Sequence, residues 1–430
     1  MEYARPSPDW ISAAPFWRSI DGDVRTVVYD VPMVLGCDPF RGAELSGWAS
    51  HDRLGPAASH PPELLSEIQS RFGDLEMPHE SYGPSSTEEL IQLRDILLHN
   101  TRTSAEVALR VLEQPWDLGI VVFSALHRGG HRLFDRSSIE GENPGAHGSE
   151  FDGALRDLYV ACDQAVGRLV DAAPDATVIV FSLHGMMANT CRVDLLDEML
   201  ARVLRGPEAD LPRPGAFRRL GEAIPLGWRR YLTARIPTRF RDRLMTLWTE
   251  GGTDWTKTEA FTLRADLGGY IRINLAGREA HGIVPREGLD ELCERIAEGL
   301  ISFRDATTGE PLVEQVHRRD DLFEDGPCSD LLPDLVVRWK DSSARIHEAI
   351  VSDRFGRIER ATPGRIPNGR SGNHRGEGLI LVRGEGFPAG ARLDNRAHIL
   401  DLAPTVLALL NAKTTAPLSG RPIPLPVETR

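Results

Sequence analysis

Hydrophobic residues fall along this chain in two rhythms. Five short runs are apolar and β-branched on both faces: Val24–Val31 (VRTVVYDV), Leu118–Ser124 (LGIVVFS), Ala176–Ser182 (ATVIVFS), Leu335–Trp339 (LVVRW) and Gly378–Arg383 (GLILVR). Such runs suit parallel strands covered by helices on each side. Pro62–Arg71, Thr87–Gln114, Gly153–Ala172, Arg192–Leu204 and Gly288–Arg304 instead carry apolar residues three and four apart, the amphipathic helical pattern. Strands alternating with long helices predict an α/β fold built on a doubly wound, mostly parallel sheet. The stretch Gly206–Gly268 breaks this rhythm. It is rich in arginine, holds Trp228, Trp248 and Trp255, and reads either as a cap inserted over the sheet or as an ordinary surface excursion. The whole of 1–430 is read as one domain with 206–268 inside it.

Composition narrows the class without choosing a function. Hydrophobic residues make up 41% and charged residues 26%, as in an ordinary soluble domain. The net charge of −13 argues against broad nucleic-acid binding, which needs a basic footprint. A small phosphorylated substrate stays open, because a bound cation supplies local positive charge whatever the total. Cys37, Cys162, Cys191, Cys293 and Cys328 are odd in number, scattered and without a CxxC pair, which disfavours a thiolate metal site or a disulfide framework. The N-terminus lacks a basic region followed by an apolar one, and no run has the length a membrane helix needs. These features together predict a cytoplasmic protein.

The chemistry gathers at the carboxyl ends of strands, where open α/β sheets bind their ligands. VVFSALHRGGH carries His127 and His131 four residues apart, VIVFSLHGM carries His184 just past its strand, and SGNHRGEG carries His374. A single His pair at this spacing means little, since about 0.4 such pairs arise by chance in a chain of this composition. A lone histidine after a strand is commonly a loop residue bonded to backbone. Three separate loops presenting imidazoles beside core strands fit a metal site, zinc above all.

The order of these motifs resembles the alkaline phosphatase superfamily: HRGGH, SLHGM, PDLVVRW, GNH and a closing ILDLAPTVLALL…SGRPI. More narrowly the chain is similar to its type I phosphodiesterase/nucleotide pyrophosphatase branch and the related phosphohydrolase/phosphomutase proteins. TKTEAFTLRADLGGYIRINLAGREAHGIV and TGEPLVEQV fit that likeness, which runs from about Pro15 to Pro424. The resemblance implies a two-zinc site that hydrolyses phosphate mono- or diesters, with a Thr or Ser nucleophile. Carried over, His127 takes an aspartate position of the first metal site, His131 its histidine and His374 the Gly-x-His position. His184 matches a ligand of the second site, where Leu183 stands in place of the aspartate. Asn189, Arg192 and Arg375 are candidates for substrate phosphate, with surface placement an equal alternative, and Arg370 stands on the same footing.

The family's opening strand, nucleophile and Thr-Gly-x-x-Pro-x-x-His-Gly stretch have no counterpart here, so no catalytic nucleophile is assigned. For a hydrolase, an upstream stretch or a separate polypeptide would supply it, or a zinc-bound hydroxide at the three-His site would act with no protein nucleophile. Asp30 could serve as the strand-end ligand, Ser59 reads as a helix cap rather than a nucleophile, and His51 and Asp52 are further candidates. Asp401 and Thr405 read as capping and packing the last helix. Two functions remain: a metal-dependent hydrolase of phosphate esters acting on a small phosphorylated or nucleotide-like substrate, or a non-catalytic or truncated relative that keeps one metal site and serves as a binding partner.

Overall fold

The computed structural model describes residues 13–34, 36–50, 55–78, 83–140, 150–209, 236, 253–263, 268–341, 349–360, 368–393 and 397–426. Its helices are α1 Glu63–Phe72, α2 Thr87–Val111, α3 Ala125–Arg132, α4 Ala154–Ala172, α5 Val193–Arg205, α6 Leu289–Ile301, the single turn α7 Arg319–Leu322, and α8 Leu402–Leu409. All five helices expected from the apolar spacing are among them, with ends shifted by three residues at most. α2 starts sharply because Ser86 and Glu89 close a reciprocal capping box, each side chain accepting from the other's backbone amide.

The strands form several small sheets rather than one. β1 Thr26–Tyr29 pairs in parallel with β2 Gly42–Ser46; β3 Ala58–His60 runs antiparallel along β2, and β4 Leu118–Val121 runs parallel along the far side of β1. β5 Val178–Ser182 and β6 Gly185–Ala188 lie just beyond α4. β7 Ala260–Leu263 and β8 Gly269–Ile273 join β10 Val313–Arg318 and β11 Leu335–Trp339 in an antiparallel sheet ordered β10-β11-β8-β7. The short β9 Arg304–Asp305 pairs with β12 Ala349–Ser352, which pairs with β13 Gly356–Glu359. Finally β14 Gly372–Arg375 lies antiparallel to β6, and β15 Leu379–Arg383 antiparallel to β5.

The fold is therefore mixed α/β, and among the described residues the strands form small mixed sheets rather than the expected doubly wound parallel one. Among the described residues parallel ladders are confined to β2-β1-β4. A run that is apolar on both faces reports burial, and burial does not distinguish parallel from antiparallel neighbours. All five expected strands are present, but ATVIVFS, LVVRW and GLILVR pair antiparallel. Of the expected cap, most of 206–268 lies outside the described residues, including Trp228 and Trp248. The described part contains β7, which pairs with β8, and Trp255, whose ring meets Phe261 edge-on at 5.1 Å.

Three cores hold these pieces. Val27, Tyr29, Leu45 and Trp48 pack on Leu64, Ile68, Val107 and Val111 of α1 and α2. Leu90, Leu97, Ala125, Leu158 and Phe151 bind α2, α3 and α4 together. Leu196, Met199, Ile271, Ile273, Ile296, Phe303, Leu335 and Val337 form a third core between α5, α6 and the β8–β11 sheet. Near the C-terminus, Asp401 accepts from the amides of His398 and Arg421. Thr405 Oγ1 donates to the Asp401 carbonyl and accepts from the Ile423 amide, packing the last helix as expected, whereas the Asp401 carboxylate caps the short turn Ile399–Asp401 and makes no cap bond to α8. Among the described residues no helix is long and apolar enough to cross a membrane.

At the entrance to β1 and β4, Asp117 accepts two hydrogen bonds from the Arg25 guanidinium at 3.0 and 2.9 Å and one from its backbone amide at 2.9 Å. These bonds, the side-chain ones foremost, hold the Asp117 carboxyl down to about 2 from 3.8. A folded-state value below the unfolded one stabilises above the unfolded pKa, and that stabilisation fades as pH falls through the interval between them. The pair is partly exposed, so its contribution is small and salt-sensitive. Asp117→Asn is expected to flatten the fall in Tm between about pH 4 and pH 2. Melting curves that shift in parallel for variant and wild type across that range would show the pair irrelevant.

Candidate metal centre

The HRGGH segment folds as α3 directly beyond β4, although two adjacent glycines make it a poor helix in isolation. Its formation rests on neighbours, and the glycines are what let those neighbours approach. A Cβ on Gly130 would stand 2.8 Å from Met186 Cε of β6. A Cβ on Gly372 of β14 would stand 2.0 Å from the Gly130 carbonyl oxygen, a contact that backbone cannot relieve by rotating a side chain. α3 and β14 thus meet at backbone distance, and β6 reaches α3 through the Met186 side chain. Ser124 Oγ donates to the Ala49 carbonyl and pins the start of α3 to the first sheet. Arg132, at the helix end, donates to the carbonyls of Gly83 and Asn368 and to Ser85 Oγ, drawing two loops onto α3.

This packing gathers the histidines. His127 and His131 lie one turn apart on the same face of α3, with ring centroids 4.8 Å apart. His374, on β14, completes the group at 4.8 Å from His127 and 4.7 Å from His131. One nitrogen from each ring can be chosen so that all three lie within 4.8 Å of one another. The buried His131 has its Nδ1 3.0 Å from the carbonyl of Gly372. A carbonyl can only accept, so Nδ1 carries the proton and Nε2 keeps its lone pair for a metal, the outer-sphere arrangement typical of histidine ligands. Three neutral imidazoles converging from a helix and a strand suit zinc with an open fourth position, and the residues present fit such an ion.

The other expected residues take different places. The His184 ring lies 4.0 Å from that of His374 and 5.5 Å from that of His127, beside the group of three rather than within it. Leu183 next to it is half exposed. Asn189 is buried between strands: its Nδ2 donates to the Arg370 carbonyl, and its Oδ1 accepts from the Cys191 amide and from Asn373 Nδ2. It fixes the β6–β14 junction from which His374 projects. Arg192 has no exposed surface to offer a ligand; it donates to the carbonyls of Thr190 and Lys340. Burial, with nearby Arg360, lowers its pKa to about 10. Arg375 follows His374, more than half exposed, and pairs with Glu377. Asp30, in the left-handed region at φ 59°, turns its carboxylate onto the amides of Trp48 and Ala49, both at 3.0 Å. Ser59 Oγ accepts from the Leu65 amide at the start of α1. His51 and Asp52 lie outside the described residues.

Residue spacing alone did not single out Gly130, Gly372, Arg132 or Asn373. The available signal was the pair of glycines inside a His-x-x-x-His helix, which local propensity disfavours and only close packing explains. Gly372→Ala is expected to force β14 away from α3. Circular dichroism should show a folded protein with Tm lowered by several degrees and zinc affinity reduced at least about 10-fold. Unchanged zinc affinity would show that this approach does not set the site.

The model of the family described as type I phosphodiesterase/nucleotide pyrophosphatase matches residues 2–354. No curated protein and no solved structure matches the chain.

Proposed function

This chain belongs to the type I phosphodiesterase/nucleotide pyrophosphatase family of the alkaline phosphatase superfamily, and from that premise we propose that it is a metal-dependent phosphoric ester hydrolase with one metal centre, His127, His131 and His374. The observation that carries this reading is the convergence of three imidazole nitrogens within 4.8 Å, with His131 held in the tautomer a metal requires. Zinc bound there would act as a Lewis acid toward a phosphoryl oxygen and would lower the pKa of a water. The residues themselves have plainer tasks. The Gly372 carbonyl fixes the His131 ring, α3 fixes the spacing of His127, and the Asn189–Asn373 junction fixes the strand carrying His374. A small phosphorylated or nucleotide-like substrate and a cytoplasmic setting belong to the same proposal, the latter supported by five cysteines outside any disulfide.

A second reading, a non-catalytic relative that keeps one metal, draws on two observations. Leu183 offers no ligand where the resemblance expects an aspartate, and the Asp30 carboxylate is committed to two backbone amides. Purified protein saturated with zinc should retain about one equivalent after dialysis and hydrolyse aryl phosphate mono- or diesters, with activity lost to chelators. His131→Ala should reduce both the retained zinc and the rate at least about 100-fold. Zinc-loaded protein that cleaves neither ester class would favour the second reading, and zinc retention indifferent to His131→Ala would remove the metal centre itself.

A further inference from the structure

Resting on that metal-centre reading, we infer that His184 is a positioning residue that holds the His374 ring in line with the metal by packing ring against ring, and is not a further ligand of that ion. Imidazoles that share one zinc tetrahedrally stand with centroids roughly 5 Å apart, given a metal–nitrogen distance of about 2.0 Å. His127, His131 and His374 meet that requirement with separations of 4.7 and 4.8 Å. His184 does not. Its centroid is 4.0 Å from that of His374 with the planes tilted by 33°, too close for two ligands at tetrahedral positions of one ion and a direct contact of ring on ring.

The backbone explains why the two rings meet. β6 and β14 pair with Gly185 opposite Arg375 and Met186 opposite His374. One residue beyond that register, His184 falls diagonal to His374 on the same face, within reach for aromatic rings. Met186, directly opposite His374, packs against Gly130 of α3, so this face is the one turned toward the other two histidines. His184 Nδ1 donates to the Gly185 carbonyl at 3.1 Å, which fixes the plane of its ring. Gly185 is itself pressed against the other strand, since a Cβ there would stand 2.7 Å from the Glu377 carbonyl oxygen. Beside it in sequence, where the family resemblance expects an aspartate, stands Leu183. Ring contact is therefore the role its surroundings support.

Two substitutions separate ring packing from ligation. His184→Phe keeps a flat ring but removes both nitrogens, whereas His184→Ala removes the ring. Cobalt(II) titration of the full chain, followed by its visible absorption, reads affinity and coordination geometry without reference to activity. We expect His184→Ala to weaken binding about 10-fold. His184→Phe should stay within about 2-fold of wild type and keep the wild-type spectrum. If His184→Phe loses as much affinity as His184→Ala, or alters the cobalt spectrum, His184 is a ligand and the inference fails while the metal centre stands. If neither variant changes affinity, the ring does not position His374. Wild-type protein that binds no cobalt would take down the metal centre and this role together.

Discussion

Much of this molecule is organised around the contact between the α3 backbone at Gly130 and the β14 backbone at Gly372. Peptide groups seldom approach so closely outside a ladder; a Cβ on Gly372 would stand 2.0 Å from the Gly130 carbonyl oxygen, and one on Gly130 would strike Met186. Here neither residue carries one, and the space is filled by the Gly372 carbonyl receiving the His131 ring proton. That single closure brings a helix from the first third of the chain against a strand near its end. It determines where His374 projects and which nitrogen of His131 stays available. The capping of α2, the Arg132 clamp on two loops and the Asn189–Asn373 bond all hold this junction in place.

The energetics favour such a scheme. A ring nitrogen bonded to a carbonyl contributes only about 1 kcal/mol net, so it could not by itself hold two elements together. Apolar packing supplies the larger share, through the core that α3 shares with α2 and α4 and through Met186 seated on Gly130. Hydrogen bonds then select one arrangement among those the packing allows. The same division is seen at Asp30, where a buried carboxylate meets two amides and fixes the turn after β1 inside an already apolar surrounding.

The sequence made the helices and the principal strands legible because their apolar spacing is strong and their caps are conventional, as at Ser86. It did not reveal β2, β6 or β14, whose sequences GAELS, GMMA and GNHR hold few β-branched residues; their pairing is decided by distant partners. Strand direction was equally hidden, since burial on both faces looks alike in parallel and antiparallel sheets. For the site, His127, His131 and His374 were readable from motif order, and their convergence agrees with that reading. The roles of Asn189 and Arg192 were not. Both types are at home on phosphate, and only their burial and their bonds to backbone show them holding strands and loops instead. His184 was readable as a histidine of the site but not as one packed on His374, because that contact depends on a register that residue types do not encode.

The bond between His131 and Gly372 spans 241 positions of sequence. A contact of that range exists only once the strand near the C-terminus has docked on α3, since nothing nearer in sequence supplies its carbonyl. The cluster is thus a reporter of completed assembly: a chain still emerging, or one whose C-terminal strands have detached, holds two histidines on α3 and no third. A cation that requires all three would then discriminate between finished and unfinished molecules, and by mass action would favour the finished ones.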